Sequence, residues 1–141
     1  MQERSTKDLE KELSACEEIS EFLTQNQEHM HSASVSERLR CYLEEKSLSR
    51  SEVIARCGLN DIYAHQILSG KRRPSRDKLL CLCFGLELTA DQVQDLLRDC
   101  GYAVLYAKNR RDSIILFALK NGHTLLQVNE TLFEYGEEMI S

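Results

Sequence analysis

The segment from Leu48 to Ser75 constrains the fold of this chain more than any other, because it has to hold two short helices and a sharp turn. Ser49 opens a capping-box pattern at the start of the first helix, and Gly58 ends that helix. Asn60 can cap a second helix, which Gly70 ends. Apolar residues recur at helical spacing in both, namely Val53, Ile54 and Cys57, then Ala64, Ile67 and Leu68. We therefore expect two helices joined by a tight turn, an arrangement whose second helix can enter a DNA major groove.

The run from Ser69 to Ser75, Ser-Gly-Lys-Arg-Arg-Pro-Ser, closes the second helix and opens the next. With this run, the segment resembles the lambda-repressor-like, XRE-type helix-turn-helix family over about residues 35–100. The resemblance implies an all-α bundle and binding to double-stranded DNA. One departure is the presence of Ile54 where the family usually has alanine, with Ala64 where it usually has a branched residue. If these residues face each other, volume has been exchanged across the helix pair, which a core tolerates.

Further helix starts follow the same pattern along the chain. Ser34 can begin a helix that runs through Lys46, and Thr89 can begin one that ends before Gly101. Between them, the helix after Ser75 is apolar nearly all round, so we expect it to be the central core element. Asn109 and Thr124 can begin two more apolar helices, which extend the core or form an oligomer surface. The pattern predicts an all-α protein in which residues 101–141 are a C-terminal helical extension packed on the 35–100 domain.

The N-terminal segment, residues 1–34, is predicted to be an acidic helix followed by a linker. The helix covers about residues 5–26 and the linker residues 25–34, where His29 and His31 have no partner at metal-ligand spacing. Packing on the chain's own domain and dimerisation are both consistent with an acidic amphipathic helix. Masking of a DNA-binding surface is a weaker alternative.

Charge is divided unevenly along the chain, whose net charge is −5. Residues 1–34 carry three basic and eight acidic side chains, residues 35–86 carry ten and six, and residues 87–141 carry five and nine. The positive section coincides with the predicted helix-turn-helix, where contacts with phosphate would need it.

Six cysteines are present without any CxxC pair. Cys41, Cys57, Cys83 and Cys100 lie among apolar residues of predicted helices, so we expect reduced, buried thiols and neither a metal nor a cofactor. No apolar run approaches the roughly 20 residues that cross a bilayer, and no secretion signal opens the chain, so a cytoplasmic, non-membrane protein is expected. No pattern of nucleophile and base, metal ligands or phosphate-binding glycines suggests an enzyme.

The resemblance assigns roles to exposed positions of the motif. The residues that would face base edges are Asn60, Asp61, Ile62, His65 and Gln66. Those that would face phosphate are Arg50, Lys71, Arg72 and Arg73. Gln66 and Asn60 have amides that suit adenine, Asp61 can accept from cytosine, and Ile62 can contact a thymine methyl. Asp61 is equally consistent with compensation of the helix dipole, and the basic run with the same role at a helix end.

Two hypotheses of different classes follow. The first is a DNA-binding transcriptional regulator that acts as a homodimer on a two-part site. The alternative is an adaptor that keeps the fold, has lost DNA binding and contacts a protein partner, which the acidic balance and the unusual second-helix surface favour.

Overall fold

A computed structural model of the protein describes residues 6–15, 19 and 34–141. Regular structure in these residues is entirely helical, so the part of the chain that is described is all-α. The helices are α1 (Thr6–Ala15), α2 (Val35–Glu45), α3 (Arg50–Cys57), α4 (Asp61–Leu68), α5 (Arg76–Gly85), α6 (Ala90–Asp99), α7 (Arg110–Lys120) and α8 (Leu125–Glu134). In the described ranges, every helix is too short or too polar to cross a membrane.

Only the beginning of the predicted N-terminal helix can be compared with the structure. Helix α1 accounts for residues 6–15 of the predicted 5–26. The linker at residues 25–33, with His29 and His31, lies outside the described residues.

The predicted helix starts are confirmed from residue 34 onward, because each is capped by the expected side chain. The hydroxyls of Ser34, Ser49 and Ser75 accept a hydrogen bond from the amide three residues later. Thr89 and Thr124 form complete capping boxes, in which the glutamine three residues on also accepts from the threonine amide. These contacts satisfy helix amides that would otherwise have no partner, so the sequence sets the helix boundaries locally.

Helix α5 is the centre of the bundle. All seven residues from Leu79 to Gly85 are buried, and α5 packs against α3, α6 and α8. The prediction that this helix forms the core is confirmed. A helix that is apolar on every side has to be surrounded by other helices, which therefore take their positions from it.

Gly85 marks the closest approach between α5 and α3. A Cβ atom at this position would lie 2.9 Å from the carbonyl oxygen of Val53 and 3.2 Å from the Cβ of Cys57. Glycine is therefore required here by lack of space, although helix propensity alone would favour alanine. The α3 residues that it contacts are themselves fully buried.

The volume exchange predicted between Ile54 and Ala64 is compatible with the packing. Both side chains are buried, and helices α3 and α4 are in contact. Leu125, at the start of α8, reaches the turn between those helices, since a Cβ at Gly58 would lie 3.2 Å from its Cδ2. The C-terminal helices thus touch the turn that orients α4.

The expectation that Cys41 is buried is wrong, and the two apolar C-terminal helices bury only one side each. Cys41 is exposed, because it lies on the outer side of α2, whereas Cys57, Cys83 and Cys100 are buried as predicted. Burial raises the pKa of those three thiols and raises that of Cys81 to about 11, so they stay protonated at neutral pH.

In the C-terminal helices, α7 and α8 bury one side each but leave Phe117 and Phe133 exposed.

The side-chain amides of Gln94 and Asn129 hold two non-helical segments of the C-terminal half in place, one at Leu105 and one at Ile140. Gln94 of α6 both donates to the carbonyl of Leu105 and accepts from its amide, each at 2.8 Å. Asn129 of α8 makes the same pair of bonds with Ile140, at 2.9 and 2.7 Å. Each amide supplies the donor and acceptor that a neighbouring β-strand would supply, so Leu105 and Ile140 can be buried without unsatisfied backbone groups.

Asp112 joins α7 to the start of α5. Its two carboxylate oxygens accept from both terminal nitrogens of Arg76, at 3.1 and 2.9 Å, and one also accepts from the Tyr106 amide at 3.0 Å. Burial tends to raise the pKa of Asp112, but the bonds from Arg76 and Tyr106 outweigh it and hold the pKa below its ordinary value of 3.8.

We expect Gly85→Ala to lower the free energy of unfolding by about 1–3 kcal/mol, because the added methyl group forces α3 and α5 apart. Urea denaturation at neutral pH measures the change. A Gly85→Ala variant more stable than the wild type would contradict the close contact.

We expect Asp112→Asn to destabilise the fold by about 2 kcal/mol at pH 7 and by progressively less in acid. Because the folded pKa of Asp112 is depressed, its contribution is complete above the unfolded value of 3.8 and is lost as pH falls through the folded pKa. Urea denaturation of both proteins from pH 7 down to pH about 3 should show the two stabilities converging. A constant difference across this range would mean that the carboxylate charge is not what stabilises the contact.

Candidate nucleic-acid interface

Helices α3 and α4 are eight residues each and are separated by the three residues 58–60. Gly58 has a left-handed φ of 69°, which ends α3 and turns the chain. The side-chain oxygen of Asn60 then accepts from the amides of Ile62 and Tyr63, at 3.0 and 3.3 Å, and begins α4. Gly58 and Asn60, which the sequence suggests for helix ends, therefore form the turn between α3 and α4.

Helix α4 has one buried and one exposed side. Its buried side chains are Ala64, Ile67 and Leu68. The exposed side carries Asp61, Ile62 and His65, with Tyr63 and Gln66 partly covered. Ile62 is 70% exposed, although it is large and apolar. We call the exposed side of α4, together with the Arg72 side chain that lies over it, the α4 face.

The structure gives the polar residues at the start of the α4 face a local role. Asn60 uses its side-chain oxygen to cap α4, which leaves its NH₂ group to contact a ligand. Asp61 lies exposed in the first turn, where a carboxylate is favourable to the helix dipole. Both roles are independent of DNA, and neither prevents a contact with it.

The chain after α4 folds back onto the end of that helix. Gly70 takes a left-handed φ of 86°, and a Cβ there would lie 3.0 Å from the Ser36 hydroxyl oxygen of α2. The amides of Lys71 and Arg72 both donate to the carbonyl oxygen of Gln66, at 2.9 and 3.2 Å. The backbone of the basic run is thus held beside the last turn of α4.

Arg72 lies against the α4 face. Its Nε donates to the side-chain oxygen of Gln66 at 3.1 Å, and its guanidinium carbon is 5.0 Å from the centre of the Tyr63 ring. Lys78, from the first turn of α5, places its Nζ 5.5 Å from the same ring centre. Sequence reasoning assigned neither Tyr63 nor Lys78 to the site, because only the fold brings α5 beside this tyrosine.

Arg73 lies elsewhere, although it follows Arg72 directly. Its guanidinium donates to the Cys100 carbonyl oxygen at 2.6 Å and lies 4.4 Å from the Tyr102 ring centre. The hydroxyl of Tyr102 in turn donates to the carbonyl of Pro74 at 2.5 Å. Arg73 therefore connects the basic run to the end of α6, so its exposed guanidinium makes a contact within the fold.

Arg50 and Lys71 are the two remaining cations of the predicted phosphate set. Both are exposed, and within the part of the chain that the structure describes neither side chain makes a hydrogen bond or an ion pair. Their charges are available to a polyanion without the loss of an internal contact.

Part of the local positive charge is neutralised by the C-terminal half. Arg38 pairs with Asp99, Arg56 with Glu87, and Arg76 with Asp112. These three arginines belong to the positive section of the sequence, whereas their carboxylate partners follow residue 86. The positive surface is therefore smaller than the sequence count suggests, and Lys71 and Arg72 are the part of it that lies against the end of α4.

A cleft is lined by residues that are not part of the α4 face. The cleft has a volume of about 530 Å³, and its walls come from α3, α5 and the turn between α7 and α8. Phe84, Leu88 and Leu119 contribute apolar surface, while Arg56 and His123 are among its polar residues. Among the residues that are described, no three potential metal ligands come together.

Comparison with protein-family models, curated proteins and solved structures gives no match to this chain. Its function has to be inferred from the arrangement of its own residues.

We expect Arg73→Ala to lower the free energy of unfolding by about 1–2 kcal/mol, since it removes a charged hydrogen bond and a contact with the Tyr102 ring. Lys71→Ala is the matched control, because it removes one positive charge from the same run without removing an internal contact. Thermal and urea unfolding of the two variants should differ clearly. Equal stabilities would show that the Arg73 contact contributes nothing to folding.

Proposed function

We propose that the protein is a DNA-binding transcriptional regulator of the lambda-repressor-like, XRE helix-turn-helix type, which acts in the cytoplasm. In this proposal α3 and α4 form the helix-turn-helix, and α4 is the recognition helix. Ile62, His65 and Gln66 face base edges, while Arg50 and Lys71 contact phosphate.

The observation that carries the proposal is the pairing of an exposed, mixed polar and apolar α4 face with an unpaired cation, Lys71, held beside the last turn of α4. A helix on the surface of a bundle usually exposes charged and polar residues, whereas Ile62 in the first turn of α4 is 70% exposed, so its apolar surface is hydrated. In a DNA major groove the same isoleucine can pack on a thymine methyl while the polar side chains of the α4 face are directed at base edges. Lys71, at the end of the helix, is then close to the phosphates that flank the groove.

A homodimer is part of the proposal, because one recognition helix of eight residues reads only a few base pairs. Regulators with this geometry place two recognition helices in successive major grooves, about 10 base pairs apart. Sedimentation of the protein with and without DNA tests this stoichiometry.

A second candidate function is an adaptor that binds a protein and not DNA. The observation in its favour is the exposure of large apolar side chains on the C-terminal helices: Phe117 is 60% exposed and Phe133 is 74% exposed. Surface clusters of such residues often mark protein contacts. The neutralisation of Arg38, Arg56 and Arg76 by internal carboxylates points the same way, because it reduces the charge available for phosphate.

Selection from a randomised duplex pool at physiological salt separates the two functions. We expect an enriched motif of two related half-sites. Gln66→Ala should relax the preference at one base pair of each half-site by about 1–3 kcal/mol, whereas Lys71→Gln should weaken binding to all duplexes and reduce the salt slope by about one per protomer.

The outcome that contradicts the proposal is the absence of any enriched motif from protein whose folding has been verified by sedimentation and thermal unfolding. Equal weakening by both variants, without any change in sequence preference, would also contradict it. Either result would favour the adaptor function.

A further inference from the structure

We propose that Arg72 is a specificity-determining residue that reads guanine in the major groove, and that Tyr63 and Gln66 position it for this contact. The inference rests on the DNA-binding function proposed above. It changes the role that the sequence suggests for Arg72, from phosphate contact to base reading, and it supplies the arginine–guanine contact that the residues of α4 by themselves lack.

The backbone places Arg72 at the α4 face. Because the amides of Lys71 and Arg72 both donate to the Gln66 carbonyl, the chain after α4 does not move away from the helix but bends back against its last turn. Gln66 itself lies on the α4 face, one turn after Ile62. A side chain that reaches Gln66 from Arg72 is therefore within the surface that would enter the groove.

The side chain of Arg72 is held by two different contacts. The Gln66 oxygen accepts from its Nε at 3.1 Å, and the Tyr63 ring lies 5.0 Å from its guanidinium carbon. A hydrogen bond in the guanidinium plane and an aromatic ring together fix both the direction and the tilt of that plane. An arginine fixed in this way loses less conformational entropy when it binds than a free surface arginine does.

The groups that remain available match guanine. An arginine has five N–H donors, and Gln66 uses the one on Nε, so the four on the two terminal nitrogens remain. Two of these donors can point in parallel at the acceptors N7 and O6 of guanine. No other base presents two acceptors in the major groove. Because the Gln66 side-chain oxygen accepts from Arg72, that oxygen is less available to the N6 donor of adenine. The Gln66 amide is therefore less suited to pair with N6 and N7 of adenine together.

Lys71 and Arg73, the cations on either side of Arg72, are arranged for roles other than base reading. Lys71 is exposed with no partner among the described residues, which suits a mobile phosphate contact. Arg73 is turned away to the Cys100 carbonyl and the Tyr102 ring. Of the three consecutive cations, only Arg72 is fixed against the α4 face.

The test is the duplex selection described above, repeated with Arg72→Lys, followed by binding measurements on the selected site and on versions with each base pair changed. Lysine keeps the charge but lacks the fork of parallel donors. We expect the wild type to select a guanine in each half-site, and Arg72→Lys to lose about 5- to 150-fold in discrimination at that position alone. The salt slope should stay the same, because the charge is retained.

Two further variants make the result specific. Tyr63→Leu should reduce discrimination at the same guanine while leaving preferences elsewhere and the salt slope unchanged, an effect that a loss of stability would not produce. Arg73→Lys is the matched control: the same chemical change one residue along should lower stability and leave the guanine preference intact.

Three results would overturn the inference. If the wild type selects a motif and Arg72→Lys keeps every preference, Arg72 is only a phosphate contact and the regulator function stands without this inference. If adenine occupies the position that Gln66→Ala relaxes, Gln66 reads the base directly and Arg72 does not. If the wild type selects no motif at all, the regulator function fails together with the inference.

Discussion

The burial of α5 on all sides is the constraint on which the remaining structure depends. Seven consecutive residues from Leu79 to Gly85 are buried, so helices must surround α5 in three directions, and α3, α6 and α8 do so. Gly85 allows α3 to approach to the distance at which a methyl group would no longer fit. Because α3 is fixed against α5, the turn at Gly58 and the cap at Asn60 determine where α4 points.

Arginine is used in this chain for two purposes that compete for the same charges. Arg38, Arg56 and Arg76 pair with carboxylates and join helices that are distant in sequence, whereas Arg73 reaches a carbonyl at the end of α6. Bidentate geometry and a partly buried partner make the Arg76–Asp112 contact the strongest of these, since solvent screens it least. Among the described cations without an ion pair, Lys71 lies next to α4 and Arg50 lies at the start of α3.

The C-terminal helices combine two properties that would rarely be selected for packing alone. One side of α7 and α8 completes the core with Ile115, Val128 and Leu132, and Leu125 touches the α3–α4 turn. The other side exposes aromatic residues to solvent at a free-energy cost. The C-terminal helices therefore contact the α3–α4 turn with one side and present an apolar surface on the other.

The sequence by itself determined where the helices begin and end, because capping residues and left-handed glycines act within a few residues of themselves. The starts at Ser34, Ser49, Ser75, Thr89 and Thr124 and the burial of α5 could all be predicted for this reason. Only the tertiary structure decided which contacts neighbouring side chains make. Arg72 and Arg73 are adjacent and chemically identical, yet one lies on Tyr63 of α4 and the other on Tyr102 after α6. Cys41 was predicted to be buried and is exposed, because helical periodicity identifies an apolar stripe but does not say how far the neighbouring helices extend around it.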